Sequence, residues 1–182
     1  MKRAFFVGLP ICLLLLLFVV YRIKHPDANG WLGQQSRISQ SLQIDAYDDE
    51  DKIGFRKDGF AYYLSISNPL LTQRLLRKLR CTGRLDNPRD VLRSDALSQH
   101  WVNIEILTGN NVHRLHLSEQ HGNYRLVRLV PSSSSIRPYD FVGATDVETK
   151  SAESFLHAAR QLVFEANRKK MPQVKIKEHE GD

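Results

Sequence analysis

Apolar residues in this chain form one unbroken run, several alternating stretches and two stripes at helical spacing. The run extends from Ala4 to Val20 without a charge, interrupted only by Gly8 and Pro10. It contains Ala4, Phe5, Phe6, Leu13, Leu14, Leu15, Phe18 and Val19, with Lys2 and Arg3 before it and Arg22 and Lys24 after Tyr21. A helix rises about 1.5 Å per residue, so crossing a ~30 Å hydrocarbon core takes roughly 20 apolar residues, with ~17 as a lower limit. The pattern therefore predicts a transmembrane anchor over about 4–21, whose flanking cations snorkel to the headgroups. A cleaved secretory signal is the alternative. Its core is normally ~7–15 residues followed by a small-x-small site. Here Arg22, Lys24 and His25 stand where that site belongs, and Pro26-Asp27-Ala28 puts a proline where a small residue is wanted. Leu9-Pro10-Ile11-Cys12 is a poor lipidation motif, because Ile11 is bulky and Cys12 lies mid-span.

Alternation takes over further along. Ile53 to Lys57, then Asp58-Gly59, then Phe60 to Ile66 reads as a β-hairpin, since Asp-Gly suits a two-residue turn whose central residues need positive φ. That turn pairs Lys57 with Phe60, Phe55 with Tyr62 and Ile53 with Leu64. It puts Ile53, Phe55, Phe60, Tyr62, Leu64 and Ile66 on one face. Trp101 to Leu107 and Val112 to Ser118 alternate: a two-residue loop at Gly109-Asn110 pairs Val102 with Leu117 and Ile104 with Leu115, and a loop at Asn110-Asn111 keeps the same faces. A third strand, Tyr124 to Val130, follows a turn near His121-Gly122-Asn123, and its inward face is ambiguous. Ile38 to Ala46 is a weakly patterned first strand.

Two helical stripes complete the pattern. Ser67-Asn68-Pro69 opens a helix bearing Leu70, Leu71, Leu75, Leu76 and Leu79, with Gly83 as its stop. The second runs from Val147 or Thr149 to Lys169. It carries Phe155, Leu156, Ala159, Leu162, Val163 and Ala166, and Thr145 and Glu148 have capping-box spacing. Pro131 to Ala144, with four consecutive serines, reads as a long surface strap pinned by Tyr139 and Phe141.

These elements divide the chain into an anchor (1–24), a flexible juxtamembrane linker (25–37), an α+β domain (38–170) and a flexible tail (171–182), in which Val174 to Ile176 has the makings of a sheet edge. The expected fold is α+β: an N-terminal transmembrane helix, then an antiparallel sheet of about five or six strands (hairpin, helix, three-stranded meander, C-terminal helix) with two helices packed on one face.

Charge changes this picture little. Half of the net +6 sits around the membrane segment, on Lys2, Arg3, Arg22 and Lys24 against Asp27. The positive N-terminal tail favours an N-cytoplasmic orientation, which exports the domain to the periplasm or the cell exterior. In the domain the cations gather on Arg74, Arg77, Lys78, Arg80 and Arg84, continuing through Arg89 and Arg93. That surface suits anionic lipid headgroups or an acidic partner, although cations near a helix C-terminus are favourable in any case. Stacking aromatics are absent from the stretch, so nucleic acid is not indicated.

Candidate chemistry is sparse. Asp48-Asp49-Glu50-Asp51 lacks the spacing and glycine of a calcium loop and reads as a solvated turn. His113 and His116 lie three apart on a strand, hence on opposite faces, which separates them as ligands of one ion. Cys12 lies in the span and Cys81 at a helix end, so no disulfide joins them within the domain. No Gly-x-Ser-x-Gly elbow, phosphate loop or His-Glu-x-x-His helix is present. No catalytic, metal-binding or cofactor-binding residue is singled out. The expectation is a single-pass membrane protein whose exported domain acts as a non-catalytic interaction or assembly subunit, with membrane lipid and other envelope proteins as partners. The alternatives are a ligand- or lipid-binding module with a pocket between the sheet and the C-terminal helix, and a membrane-bound hydrolase.

Overall fold

The computed structural model describes residues 3–24, 27–48, 56–57, 60–85, 100–131, 139–169 and 171–179. Among these lie helices α1 (Arg3–Lys24), α2 (Ala28–Ile38), α3 (Pro69–Leu76) and α4 (Thr149–Lys169). The strands are β1 (Ser41–Asp48), β2 (Arg56–Lys57), β3 (Phe60–Ile66), β4 (His100–Thr108), β5 (Asn111–Gln120), β6 (Asn123–Pro131), β7 (Tyr139–Val147) and β8 (Val174–His179). Every pairing is antiparallel, in the order β2-β3-β1-β4-β5-β6-β7, with β8 also paired to β3. The α+β class is as expected. The sheet is larger than the five or six strands anticipated, and three helices rather than two join its core.

Turn chemistry sets the meander. Thr108 pairs with Asn111 across Gly109-Asn110, which gives the expected Val102–Leu117 and Ile104–Leu115 pairs. Gly109 has φ +58°, and a left-handed first position is what a two-residue hairpin turn of this kind demands. The next turn is tighter still in its requirement: His121 and Gly122 both have positive φ, 52° and 79°. Lys57 pairs with Phe60 as the hairpin predicts. Leu64 pairs instead with Ile44 of β1 and Ile176 of β8, which leaves no edge for the expected Ile53 partner. Phe55, the Asp58-Gly59 turn, Asp49 to Asp51 of the acidic turn, and most of the strap fall outside the described residues.

Alternation places Leu42, Ile44, Leu64, Ile66, Val102, Ile104, Ile106, Leu115, Leu117 and Leu126 on one face of the sheet, all buried. Helices α2, α3 and α4 cover that face with Ala28 and Leu32, with Leu75 and Leu76, and with Phe155, Leu156, Ala159, Val163 and Ala166. The α4 stripe is the one read from sequence. The ambiguity of β6 has a physical origin: Leu126 joins the main core while Val127 packs with Ala144 on the other face, so both faces are buried. A register shift between Arg128 and Leu129 leaves one extra residue on β7.

Several expectations need correction. Most of the supposed linker is α2, despite Gly30 and Gly33. Asp27 caps it by accepting from the Gly30 N–H at 2.7 Å, and burial of Ala28 and Leu32 outweighs the weak helix propensity. Consequently β1 begins at Ser41, and Ile38 ends α2 with 62% of its surface exposed. The end of the strap is β7, an edge strand hidden in sequence by Asp140, Gly143 and Asp146. The tail contributes β8, of which Val174 to Ile176 was the legible part. The helix α3 has its Asn68 cap, whose side chain accepts from Leu70 and Leu71 at 2.9 and 3.2 Å. It stops at Leu76, well before Gly83, because Ser151 intercepts the chain. The Ser151 hydroxyl donates to the Lys78 carbonyl and accepts from the Arg80 N–H, each at 2.5 Å. Leu70 is accordingly 67% exposed and outside the stripe. Thr145 lies in β7 rather than capping α4, which starts where the Glu148 carbonyl accepts from Ser151 and Ala152.

No helix among the described residues is long and apolar enough to cross a membrane. In α1 the described side chains are those of Ile11 to Tyr21. The expected N-terminal transmembrane helix is therefore not found among the described residues; the residues read as the anchor lie in the 22-residue α1.

Two glycines give opposite expected outcomes in denaturant unfolding. Gly122→Ala places a Cβ at φ +79° and costs about 1–2 kcal/mol. Gly33→Ala meets nothing within 4 Å inside α2 and gains up to about 1 kcal/mol. A neutral Gly122 substitution contradicts the described turn.

Candidate functional site

The basic residues read from sequence are positioned by a clamp that sequence did not disclose. Asn29, in the first turn of α2, donates from Nδ2 to the Cys81 carbonyl at 2.7 Å. Its Oδ1 accepts from the Cys81 N–H at 2.8 Å. The Ala28 N–H donates to the Gly83 carbonyl at 3.0 Å. On the other side, the Glu148 N–H donates to Arg80 O and the Thr82 N–H to Asp146 O, both at 2.9 Å. The segment from Arg77 to Leu85 is thus stitched between α2 and the end of β7.

This stitching leaves a cleft between α2 and α3 of about 440 Å³, lined by Asn29, Leu32, Ser36, Leu76, Leu79, Arg77, Arg80 and Glu148, with Gly33 at its rim. Of the predicted basic residues, Arg77 and Arg80 line this cleft. Arg74 sits exposed on α3, and Lys78 is turned aside to donate to the Ser154 hydroxyl at 3.2 Å. Arg84 reaches back to α1: its Nη1 lies 3.5 Å from the Tyr21 hydroxyl, and its guanidinium 5.7 Å from the Tyr21 ring centre. Arg89 and Arg93 fall outside the described residues. Among the described residues no carboxylate forms an ion pair with Arg77 or Arg80. Cys81, buried behind the clamp, is no nucleophile. Burial, with the Asp27 charge adding to it, pushes its thiol up to about 12, so the thiolate is scarce at neutral pH.

The opposite face of the sheet gathers a second set of groups. The Arg114 Nε meets the Glu105 Oε1 at 2.5 Å, and its guanidinium lies 4.6 Å from the Tyr139 ring centre. His116 stacks on Trp101, ring centres 5.8 Å apart and planes 6° apart. Asn103, Glu105, Arg114, His116, Leu129 and Tyr139 border a hollow of about 200 Å³. The Asn103 Oδ1 is buried there with no hydrogen-bond partner among the described residues. Burial holds His116 down to about 4, so its ring is neutral at physiological pH. Tyr63, on β3 with β1 between it and β4, has its pKa raised by burial and then by the Glu105 and Asp45 carboxylates.

The two histidines of β5 do face opposite ways, as the strand spacing requires. His113 meets Trp31 of α2 edge-on at 5.5 Å, and Arg128 covers the same indole at 5.0 Å. Burial, aided by the Arg128 charge, lowers the His113 pKa as well. Among the described residues no three His, Cys, Asp or Glu side chains are placed to hold a metal ion. The sequence raises His116 as a candidate metal ligand, but nothing in it marks Glu105 as lying beside the same hollow. Their meeting depends on register across β4, β5 and β6. Asn29 carried no signal and Glu148 only that of a helix cap, since the contacts that place them span more than fifty residues.

Comparisons of the chain with protein-family models, with characterised proteins and with solved structures find no match.

The neutral His116 makes a sharp pH prediction. Its folded pKa lies below the unfolded value near 6.5, so the unfolded chain binds more protons between about pH 6.5 and about pH 4. Stability present above that window is lost as pH falls through it, by at most about 1.4 kcal/mol per pH unit from this group. Chemical unfolding across pH should therefore show a shallower acid slope in His116→Gln than in the unaltered chain. Equal slopes contradict a buried neutral imidazole.

Proposed function

We propose that this protein is a single-pass membrane protein whose folded domain is a non-catalytic interaction or assembly subunit held beside the bilayer, on its exported side. One observation carries this reading. Ten apolar or aromatic side chains of α1, from Ile11 to Tyr21 with Cys12 aside, expose between 42 and 66% of their surfaces. A water-facing patch of that size is rare in a soluble monomer. The span itself is read from the sequence: the uncharged run from Ala4 to Val20 reaches the lower limit of ~17 apolar residues for crossing a bilayer. The uncharged run that precedes Ile11 extends the same character toward the N-terminus.

The non-catalytic part of the reading rests on the state of the titratable groups. Glu105 is compensated by Arg114, His116 stays neutral down to about pH 4, and Cys81 holds its proton to about pH 12. Near neutral pH such groups hydrogen-bond and pack rather than move protons. A greasy pocket under the C-terminal helix is disfavoured because Leu64 and Phe155 are completely buried.

Extraction of cell membranes at alkaline carbonate pH tests the anchor. The unaltered chain should stay in the pellet with its N-terminal residues intact, and Leu14→Asp/Phe18→Asp should shift it to the supernatant. A mature chain that begins after Lys24 and is freely soluble contradicts the proposal.

A further inference from the structure

We propose that the cleft between α2 and α3 holds the phosphate of an anionic phospholipid headgroup, with Arg77 and Arg80 as its cationic walls; this rests on α1 being held in lipid. Three observations converge on it. The first is charge. Arg77 and Arg80 line the cavity without a carboxylate partner among the described residues, and a guanidinium fork matches phosphate oxygens in geometry. The second is shape. The cavity, at about 440 Å³, has room for a headgroup, and its polar groups Asn29 and Ser36 sit beside an apolar floor of Leu32, Leu76 and Leu79. A lipid headgroup presents the same pairing, a phosphate and hydroxyls joined to an apolar stem.

The third is position. Asn29, on the cleft wall, follows the last residue of α1 by five positions. The loop that carries the cleft's arginines also carries Arg84, which contacts Tyr21 at the end of α1. A segment tied both to the helix end and to the cleft wall keeps the cleft at headgroup level. The Asn29–Cys81 clamp makes that tie rigid, so the two guanidiniums are presented without ordering a loop on binding. Glu148 is the one acid on the lining, and its charge opposes the phosphate. Removing it should tighten the site.

The test uses the full chain in nanodiscs of phosphatidylcholine alone or with added phosphatidylglycerol, and counts lipids retained after detergent stripping by native mass spectrometry. The unaltered protein should retain phosphatidylglycerol in preference to phosphatidylcholine. Arg77→Gln/Arg80→Gln should lower that retention by about 30-fold, the loss expected for two cations at an anionic surface. Glu148→Gln should raise it. The charge-matched control Arg168→Gln/Lys175→Gln, on exposed positions far along the chain, should leave it unchanged. Equal retention of the two lipids, or no loss in the double arginine variant, overturns the proposal. Displacement of phosphatidylglycerol by inorganic phosphate alone overturns the lipid assignment in favour of a soluble anion. A chain that fails to enter nanodiscs at all refutes the anchor instead. The cleft is then read separately with short-chain dihexanoyl phosphatidylglycerol in solution, where binding lost in the double variant supports the site and absence of binding overturns it.

Discussion

The sheet has two faces, and the described helices cover one of them. Leu42, Ile44, Leu64, Ile66, Ile104, Ile106, Leu115 and Leu117 form an apolar surface that water would penalise heavily. Three helices, α2, α3 and α4, are drawn to that side. The recruitment of α2 is the consequential step, because α2 directly follows α1. Burying Ala28 and Leu32 fixes where the chain leaves the domain, and Asn29 then locks that exit to the backbone of Cys81. The orientation of α1's end, the placement of Arg84 against Tyr21 and the cleft holding Arg77 and Arg80 all follow from covering one sheet face. The other face keeps more polar groups: the Glu105–Arg114 pair, the Trp101–His116 stack and the Asn103 oxygen, which has no hydrogen-bond partner among the described residues.

Local signals in the sequence carried the elements whose cause is local. The β4–β5 register follows from Gly109, and the start of α3 from Asn68 and Pro69. The α4 stripe was legible because its helix faces a core on one side only. Elements set by distant partners were not legible. Helix α2 reads as linker, since Gly30 and Gly33 are poor helix formers and its stability beyond the Asp27 cap comes from contact with the core. The strand β7 reads as strap, because an edge strand with Asp140, Gly143 and Asp146 shows no alternation, and its pairing with β6 absorbs an extra residue. The end of α3 was misplaced because the stop is Ser151, more than seventy residues away, rather than Gly83. The basic residues of the candidate site were legible as a charge cluster, but their division was not. Two line a cleft, Lys78 binds Ser154, and Arg84 turns to α1.

Burial decides the chemistry of the remaining reactive groups. A thiol near 12 and an imidazole near 4 are both held in their neutral forms by desolvation. Both side chains pack: His116 stacks on Trp101 and Cys81 lies in the core. This agrees with the proposed role of a domain that presents surfaces beside a bilayer.

The thiols also give the most direct measurement of the central claim, that α1 lies in hydrocarbon. Cys12 is exposed on α1 and Cys81 is buried in the domain. Sheared membranes containing the unaltered chain are treated with a charged, membrane-impermeant maleimide before and after denaturing detergent. A helix immersed in lipid predicts no modification of either thiol in intact bilayers and modification of both once the detergent is added. Rapid labelling of Cys12 in the intact membranes would contradict the account.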